Sequence, residues 1–439
     1  MDTSVYGHGS LRRSRELVRV RSVVPAASSA AGLSRCLGEW GDDVPMKTGV
    51  QRTGFLLALL AAGVMSACSH AAPKLSSSWD PKTATAYLDD REAWWAQWPV
   101  AARDHGTFCV SCHTALPYAM ARPALRTALG QPGPSAGERE LIENVTKRVR
   151  LWKDVGPYYS DQGYDPKTAE SRGTESVLNA LILANHDAQS GQLSEEGRAA
   201  FDNMWALQQT TGEDRGSWSW LQFDQEPWEA NDSAYYGATL AAIAVGRAPG
   251  NYESAPEIQE NLKLLREYLT RESAAQSAIN HVFLLWASTK LPRLLTRDQQ
   301  KAITEEILSK QKADGGWRLA SIAWKWNSWS FRSLVNMWIR EDGTPMEGTS
   351  DGLATALTVL ALEESGVPRD NTQLKRGLSW LMTHQNPAEG DWPASSVNKR
   401  RHMSSGTGRF MTDAATAFAV LALTENQRPT NPIASVSNH

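Results

Sequence analysis

Arg376-Gly377-Leu378-Ser379-Trp380-Leu381-Met382-Thr383-His384-Gln385-Asn386-Pro387-Ala388-Glu389-Gly390-Asp391-Trp392 decides the fold. A helix ends near Gln385, a tight turn follows, and Trp392 closes the segment. The arrangement reads as a brace. Gln385 at a helix end can bond free backbone groups, Gly390 permits the turn, and Trp392 covers the next structural unit. Lys301 to Trp317 repeats the pattern with Gln311 and Trp317, and carries Glu306 where an aromatic residue is expected. Gln208-Gln209 to Gly216-Ser217-Trp218 is a looser copy. The braces are structural, so these tryptophans belong to the scaffold.

Between the braces lie two kinds of helix. The segments Thr174–Leu181, Asp232–Leu240, Asp351–Leu357, Thr412–Leu421 and Ser277–Thr289 are apolar nearly all round and small-residue rich, which predicts burial on both sides. Ile258, Leu262, Leu265 and Leu269 instead form one stripe, with Glu260, Lys263 and Glu267 off it. Alternation of the two kinds predicts an all-α fold, an α/α toroid of two concentric rings with about five or six helix pairs. Strand signals are weak throughout.

The 376–392 stretch resembles the QW repeat of squalene–hopene cyclases and related triterpene cyclases. The resemblance spans about 140–425 and implies the toroid that these enzymes share with protein prenyltransferase β-subunits, placed here at 140–428. The full cyclases have two such domains, and this chain has room for about one. The cyclases start their reaction from a D-x-D-D-T-A motif whose middle Asp delivers a proton. Glu229-Ala230-Asn231-Asp232-Ser233-Ala234 is the best match, with Asn231 at the acid position. An amide is no Brønsted acid, so the resemblance leaves Glu229 and Asp232 as catalytic candidates; Asn231 or Asp232 capping the following helix is the structural alternative, as Ser350 and Thr412 are expected to cap theirs. Prenyltransferases bind zinc through Asp, Cys and His. No Cys follows Cys112, so no zinc is expected. Asp224, Glu226, Glu229 and Asp232 beside Trp218, Trp220 and Trp228 also suit a glycan-active α/α barrel. Arg318–Trp338 adds Trp324, Trp326, Trp329 and Trp338, which suit a cation, a sugar, a haem edge or plain packing.

Tyr87–Trp98 reads as a short amphipathic helix stopped by Pro99. Cys109-Val110-Ser111-Cys112-His113 after it is C-x-x-C-H, the attachment motif of covalent haem c. Two thiols at this spacing reach the two vinyl groups, and the adjacent imidazole of His113 ligates iron. Met120 is a candidate distal ligand and His105 another, while a five-coordinate iron also fits. A Cys109–Cys112 disulfide is the alternative.

Met46, Lys47, Arg52 and the apolar run Gly54–Val64 read as a signal peptide at 46–72, preceded by a leader at 1–45. Met65-Ser66-Ala67-Cys68 resembles a lipobox, which implies lipidation at Cys68 and membrane association; cleavage near Ala71 or Ala72 is the alternative. Both export the chain, to the periplasm or an outer-membrane anchor. An N-terminal helical segment at 73–139 precedes the toroid, and 429–439 is a tail. The whole chain of 439 residues has 45 Lys and Arg against 48 Asp and Glu, a net charge of −3, which argues against nucleic acid. The expected partners are an apolar lipid or terpenoid ligand and a periplasmic redox partner. The expected function is redox or apolar-ligand binding, with a terpenoid cyclase-like isomerase or lyase, or a glycan-active protein, as alternatives.

Overall fold

Asp80 starts the first helix, its carboxylate accepting from Lys82 N at 2.8 Å with Pro81 in the first turn. The computed structural model describes residues 78–323, 348–399 and 401–425. The leader, the export signal with Cys68, the tail, and Trp324, Trp326, Trp329 and Trp338 lie outside the described residues.

The chain is all-α. Its helices are α1 (Pro81–Gln97), α2 (Ala115–Ala128), α3 (Ala136–Arg150), α4 (Lys167–Asp187), α5 (Glu195–Ala206), α6 (Ser233–Arg247), α7 (Gln259–Glu272), α8 (Ala278–Lys290), α9 (Arg297–Ser309), α10 (Leu319–Ala323), α11 (Gly352–Glu364), α12 (Thr372–Thr383) and α13 (Phe410–Glu425). Two two-residue strands, β1 (Ala102–Arg103) and β2 (Thr107–Phe108), pair in one hairpin. The first helix begins at Pro81, six residues before the expected Tyr87, because Asp80 and Pro81 form a helix start that outranks amphipathic spacing.

Burial separates the helices as their composition predicts. In α4, α6 and α11 nearly every residue is buried, whereas α3, α7 and α9 bury one stripe. The buried helices pack side by side in the order α2, α4, α6, α8, α11, α13, and α13 packs back on α2. Each also packs against an amphipathic helix: α1 on α2, α3 and α5 on α4, α7 on α6, α9 on α8, α12 on α11, and α1 and α12 on α13. Gly173 makes close approach possible; a Cβ there would stand 2.0 Å from the Ser219 carbonyl oxygen.

The three braces share one geometry. Gln208, Gln311 and Gln385 donate to the carbonyls of Gly216 (3.0 Å), Gly315 (2.8 Å) and Gly390 (2.9 Å). Each amide also reaches the start of another amphipathic helix: Asn261 O in α7 at 3.0 Å, Gln373 O in α12 at 2.7 Å, and Asp80 O before α1 at 3.0 Å. The indoles of Trp218, Trp317 and Trp392 are fully buried and donate back to Met204, Ile307 and Leu381 at 2.7–2.8 Å. The Gln385 contact ties the last amphipathic helix to the first. Glu306, the departure from the repeat, accepts from His281 Nδ1 at 2.7 Å.

Aromatic side chains join three of the buried helices. Phe418 of α13 meets Phe283 and Trp286 of α8 at 6.3 and 5.9 Å between ring centres, and Phe283 meets Tyr236 of α6 at 4.7 Å.

Candidate functional site

The starts of α2, α6 and α13 gather one set of polar groups. The β1–β2 hairpin turns at His105 and Gly106, both with positive φ, and delivers Phe108 and Cys109 to the core. Asn144 of α3 clamps Phe108, accepting from its N–H at 2.8 Å and donating to its carbonyl at 3.0 Å. Trp95 of α1 donates its indole N–H to the Cys109 carbonyl at 2.6 Å. Ser111 Oγ accepts from Thr114 N and Ala115 N at 3.2 and 3.0 Å, so the Cys-x-x-Cys-His segment ends in a capped helix start. Cys109 and Cys112 are 5 % and 2 % exposed. Burial pushes the Cys109 thiol up to about 12, against the pull of Arg103, and raises the Cys112 thiol as well, with Glu229 adding to both shifts.

His113 is held by a relay. Asp413, at the start of α13, accepts from Tyr87 at 2.8 Å, from Arg91 through two bonds at 2.7 and 2.9 Å, and from Thr114 Oγ1 at 2.7 Å. Burial pushes its carboxyl up, and these donors oppose that; with every partner a donor, Asp413 stands as the carboxylate. Thr114 has a single hydroxyl proton, and it is donated in the hydrogen bond to Asp413. The Thr114 lone pair is therefore what faces His113 Nδ1 at 3.0 Å, so Nδ1 carries the imidazole proton. Burial, with Arg401 and Arg91 nearby, holds His113 well below the usual imidazole range. His113 is thus neutral, with a lone pair on Nε2. Among the described residues no hydrogen bond engages Nε2. Its ring stacks on Phe410 at 3.6 Å and meets the edge of Trp95 at 5.1 Å. Trp228 stands beside it at 6.2 Å.

Glu229 enters from the loop before α6, whose backbone folds into a bridge with Gln225. Burial pushes its carboxyl up to about 7, opposed by Arg401, Lys167 and Lys399. The segments around it are tied together: Asn398 donates to Asp224 O at 2.8 Å and accepts from Glu226 N at 3.2 Å.

The structure therefore gathers Cys109, Cys112, His113 and Glu229 in one region. Asp232 is half-buried at the start of α6 and makes no side-chain capping bond, and Asn231 is exposed. Neither caps α6; Ser233 Oγ instead accepts from Ala230 N at 2.7 Å. Met120 is buried within α2, and His105 sits on the exposed hairpin turn beside Asp104 at 3.3 Å. The expected caps also differ. Asp351, not Ser350, caps α11, and Thr412 lies inside α13, where it bonds both backbone groups of Ala394. The relay residues Thr114, Asp413 and Arg91 escape sequence reasoning; the one available signal is an acidic residue at the head of an otherwise apolar helix. Among the described residues no three His, Cys, Asp or Glu side chains form a metal cage. A separate cavity of about 290 Å³ lies between α2, α3 and α4, lined by Leu141, Ile142 and Ile182 with Arg126 and Glu138.

The residues at the motif fit haem c in their donor set: two thiols three residues apart in the segment before α2, and an imidazole whose lone pair is on Nε2, oriented through Nδ1.

No family model and no curated protein matches the chain. Solved structures of a glycosidase, in wild-type and variant forms, are similar at 14 % identity with a TM-score of 0.43, covering 79 % of this chain and 98 % of theirs.

Proposed function

We propose that this chain is an exported redox protein carrying covalent haem at the mouth of an α/α toroid of six helix pairs. The relay from Asp413 through Thr114 to His113, beside the two cysteines, carries this reading. Cys109 and Cys112 would hold the porphyrin as thioethers, and His113 Nε2 would hold its iron. Haem, when bound, supplies a reversible one-electron iron couple. Thr114 and Asp413 fix the imidazole tautomer and plane, and Arg91 keeps Asp413 ionised. Arg401 offers a positive charge in the same region. Met120 would be a second candidate to hold the iron, and lipidation at Cys68 would tether the protein to a membrane. The toroid is supported by the contact order that returns from α13 to α2 and by the Gln385–Asp80 brace.

The test is mass spectrometry of the exported protein, made in cells that assemble c-type haem. The expected result is a porphyrin adduct on the peptide containing Cys109 and Cys112, lost in Cys109→Ser/Cys112→Ser, with haem-specific absorption bands. An unmodified thiol or disulfide peptide overturns the reading.

The buried carboxyl of Glu229, with its elevated proton affinity, favours a second reading: proton donation to an apolar substrate in the manner of the cyclases. Co-purified lipid and turnover abolished in Glu229→Gln are its expected results; turnover retained in that variant removes Glu229 as the acid.

A further inference from the structure

The aromatic residues beside His113 continue to the surface. Trp95 and Phe410 touch the imidazole. Trp98 follows at 5.5 Å from Trp95 and 6.4 Å from Phe410, and Trp94 stacks on Trp98 at 5.1 Å. Trp95 and Phe410 are buried, whereas Trp94 and Trp98 are half-buried and reach solvent. The loop before α13 lies over them. Gly406 rests on Trp94 so closely that a Cβ would stand 2.1 Å from the indole, and Arg91 donates to the Gly406 carbonyl at 2.7 Å. The guanidinium of Arg91 stands over the Trp94 ring at 4.3 Å, and that of Arg401 over Phe410 at 5.0 Å. The loop carries Lys399, Arg401, His402 and Arg409, and exposes Met403. Its facing carboxylates are Asp224, 3.8 Å from Lys399, Glu389, 3.4 Å from Arg409, and the buried Glu229, which acts on Arg401 and Lys399, while Asp413 is turned inward to Arg91.

We propose that Trp94 and Trp98, framed by Lys399, Arg401 and Arg409, form the docking face for an exported electron-carrier protein whose cofactor edge is rimmed by acidic side chains. This rests on the haem reading. Apolar indoles at the centre with cations at the rim are the composition of a contact surface for an acidic partner. One electron passes from the reduced site to the partner's oxidised metal centre; no bond changes and no proton moves. The touching rings shorten the gap that the electron crosses.

The full exported chain is tested in two arms, with hexacyanoferrate(III) as the anionic oxidant and iodide and caesium as quenchers. In the first arm, the fluorescence component lost in Trp98→Phe is quenched several-fold better by iodide than by caesium, and less so in Lys399→Glu/Arg409→Glu. Equal quenching by the two ions overturns the basic face. In the second, protein verified to carry the porphyrin is oxidised by hexacyanoferrate(III) in stopped flow. Oxidation slows about tenfold from low to high salt and by a similar factor in the charge-reversed variant. Trp98→Leu slows it with no change in reduction potential, and Trp98→Phe, which keeps a ring, restores most of the rate. Rates indifferent to salt and to Trp98 overturn the docking face while the porphyrin stands. Absence of porphyrin with iodide-selective quenching removes the haem reading and leaves the basic surface.

Discussion

Gln385→Ala tests whether this brace holds the end of α12 to the start of α1. The Gln385 amide accepts from Asp80 N at 2.6 Å and donates to Asp80 O at 3.0 Å and to Gly390 O at 2.9 Å. Its removal leaves those partly buried backbone groups short of partners. At about 1 kcal/mol for each lost bond, the cost is about 2–4 kcal/mol. Gln385→Glu is the sharper variant, because a carboxylate still accepts from Asp80 N but cannot donate to either carbonyl. Gln311→Ala is the control: it breaks the same motif between segments 62 residues apart, whereas the Gln385 brace spans 305. The assay is denaturant unfolding followed by Trp fluorescence, with native-state amide exchange over the first turns of α1. Both alanine variants should lose similar stability, and only Gln385→Ala should speed exchange in α1. Loss below about 0.5 kcal/mol, with α1 exchange unchanged, would refute a load at the seam.

Glu175 and Arg148 form a wholly buried ion pair at 2.5 Å, so Glu175→Ala should cost about 3–5 kcal/mol, and Arg148→Met in the same chain should recover part of it in a double-mutant cycle. His281 and Glu306 give stability a two-sided pH dependence. The His281 value is raised, by its bonds to Glu306 and Ser273 against burial, so its contribution is lost as pH rises through that raised value. The Glu306 value is lowered by His281, so its contribution is lost as pH falls through the lowered value. His281→Gln should flatten unfolding midpoints across that window. Glu229 acts with the opposite sign to a paired carboxylate. Its folded value of about 7 lies above the usual 4.5, so folding is penalised increasingly as pH rises between the two. Glu229→Gln should therefore stabilise the protein at pH 8 by about 2–3 kcal/mol and hardly at all at pH 4. An equal effect at both pH values would remove Glu229 from the buried region.

The braces were legible because each is local: Gln311 to Trp317 fits within one helix end and turn, and spacing alone announces it. The Gln385 partner was not, since nothing in 376–392 says which helix lies next to it, and Asp80 is more than three hundred residues away. The same distinction divides the candidate site. Cys109, Cys112 and His113 are contiguous and carry a spacing with chemical meaning. Asp413 lies 299 residues from Thr114, and its role appears only when α13 packs against α2. Segment 73–139 looked separate because it lacks a brace of its own. It nevertheless supplies α1 and α2, and α2 fills the place between α13 and α4. Helix starts failed for a related reason. Ser350 is drawn away from capping by Asp314, which takes both its N–H and its hydroxyl, at 2.9 and 2.6 Å, and the cap falls to Asp351.

The relay also explains why the motif's histidine needs this scaffold. A C-x-x-C-H segment alone leaves the imidazole free to carry its proton on either nitrogen. Here the choice is made by a carboxylate on another helix, itself held ionised by Arg91 of a third. Asp413→Asn tests that dependence. The amide can donate where the carboxylate could only accept, so the Thr114 hydroxyl can turn toward Nδ1 and the proton can shift to Nε2. Nitrogen NMR of the His113 ring, in protein kept free of haem, should show Nδ1 protonated in the parent chain and an altered tautomer in the variant. An unchanged Nδ1–H signal would mean that Thr114, not Asp413, sets the ring, and the three-helix dependence would fall.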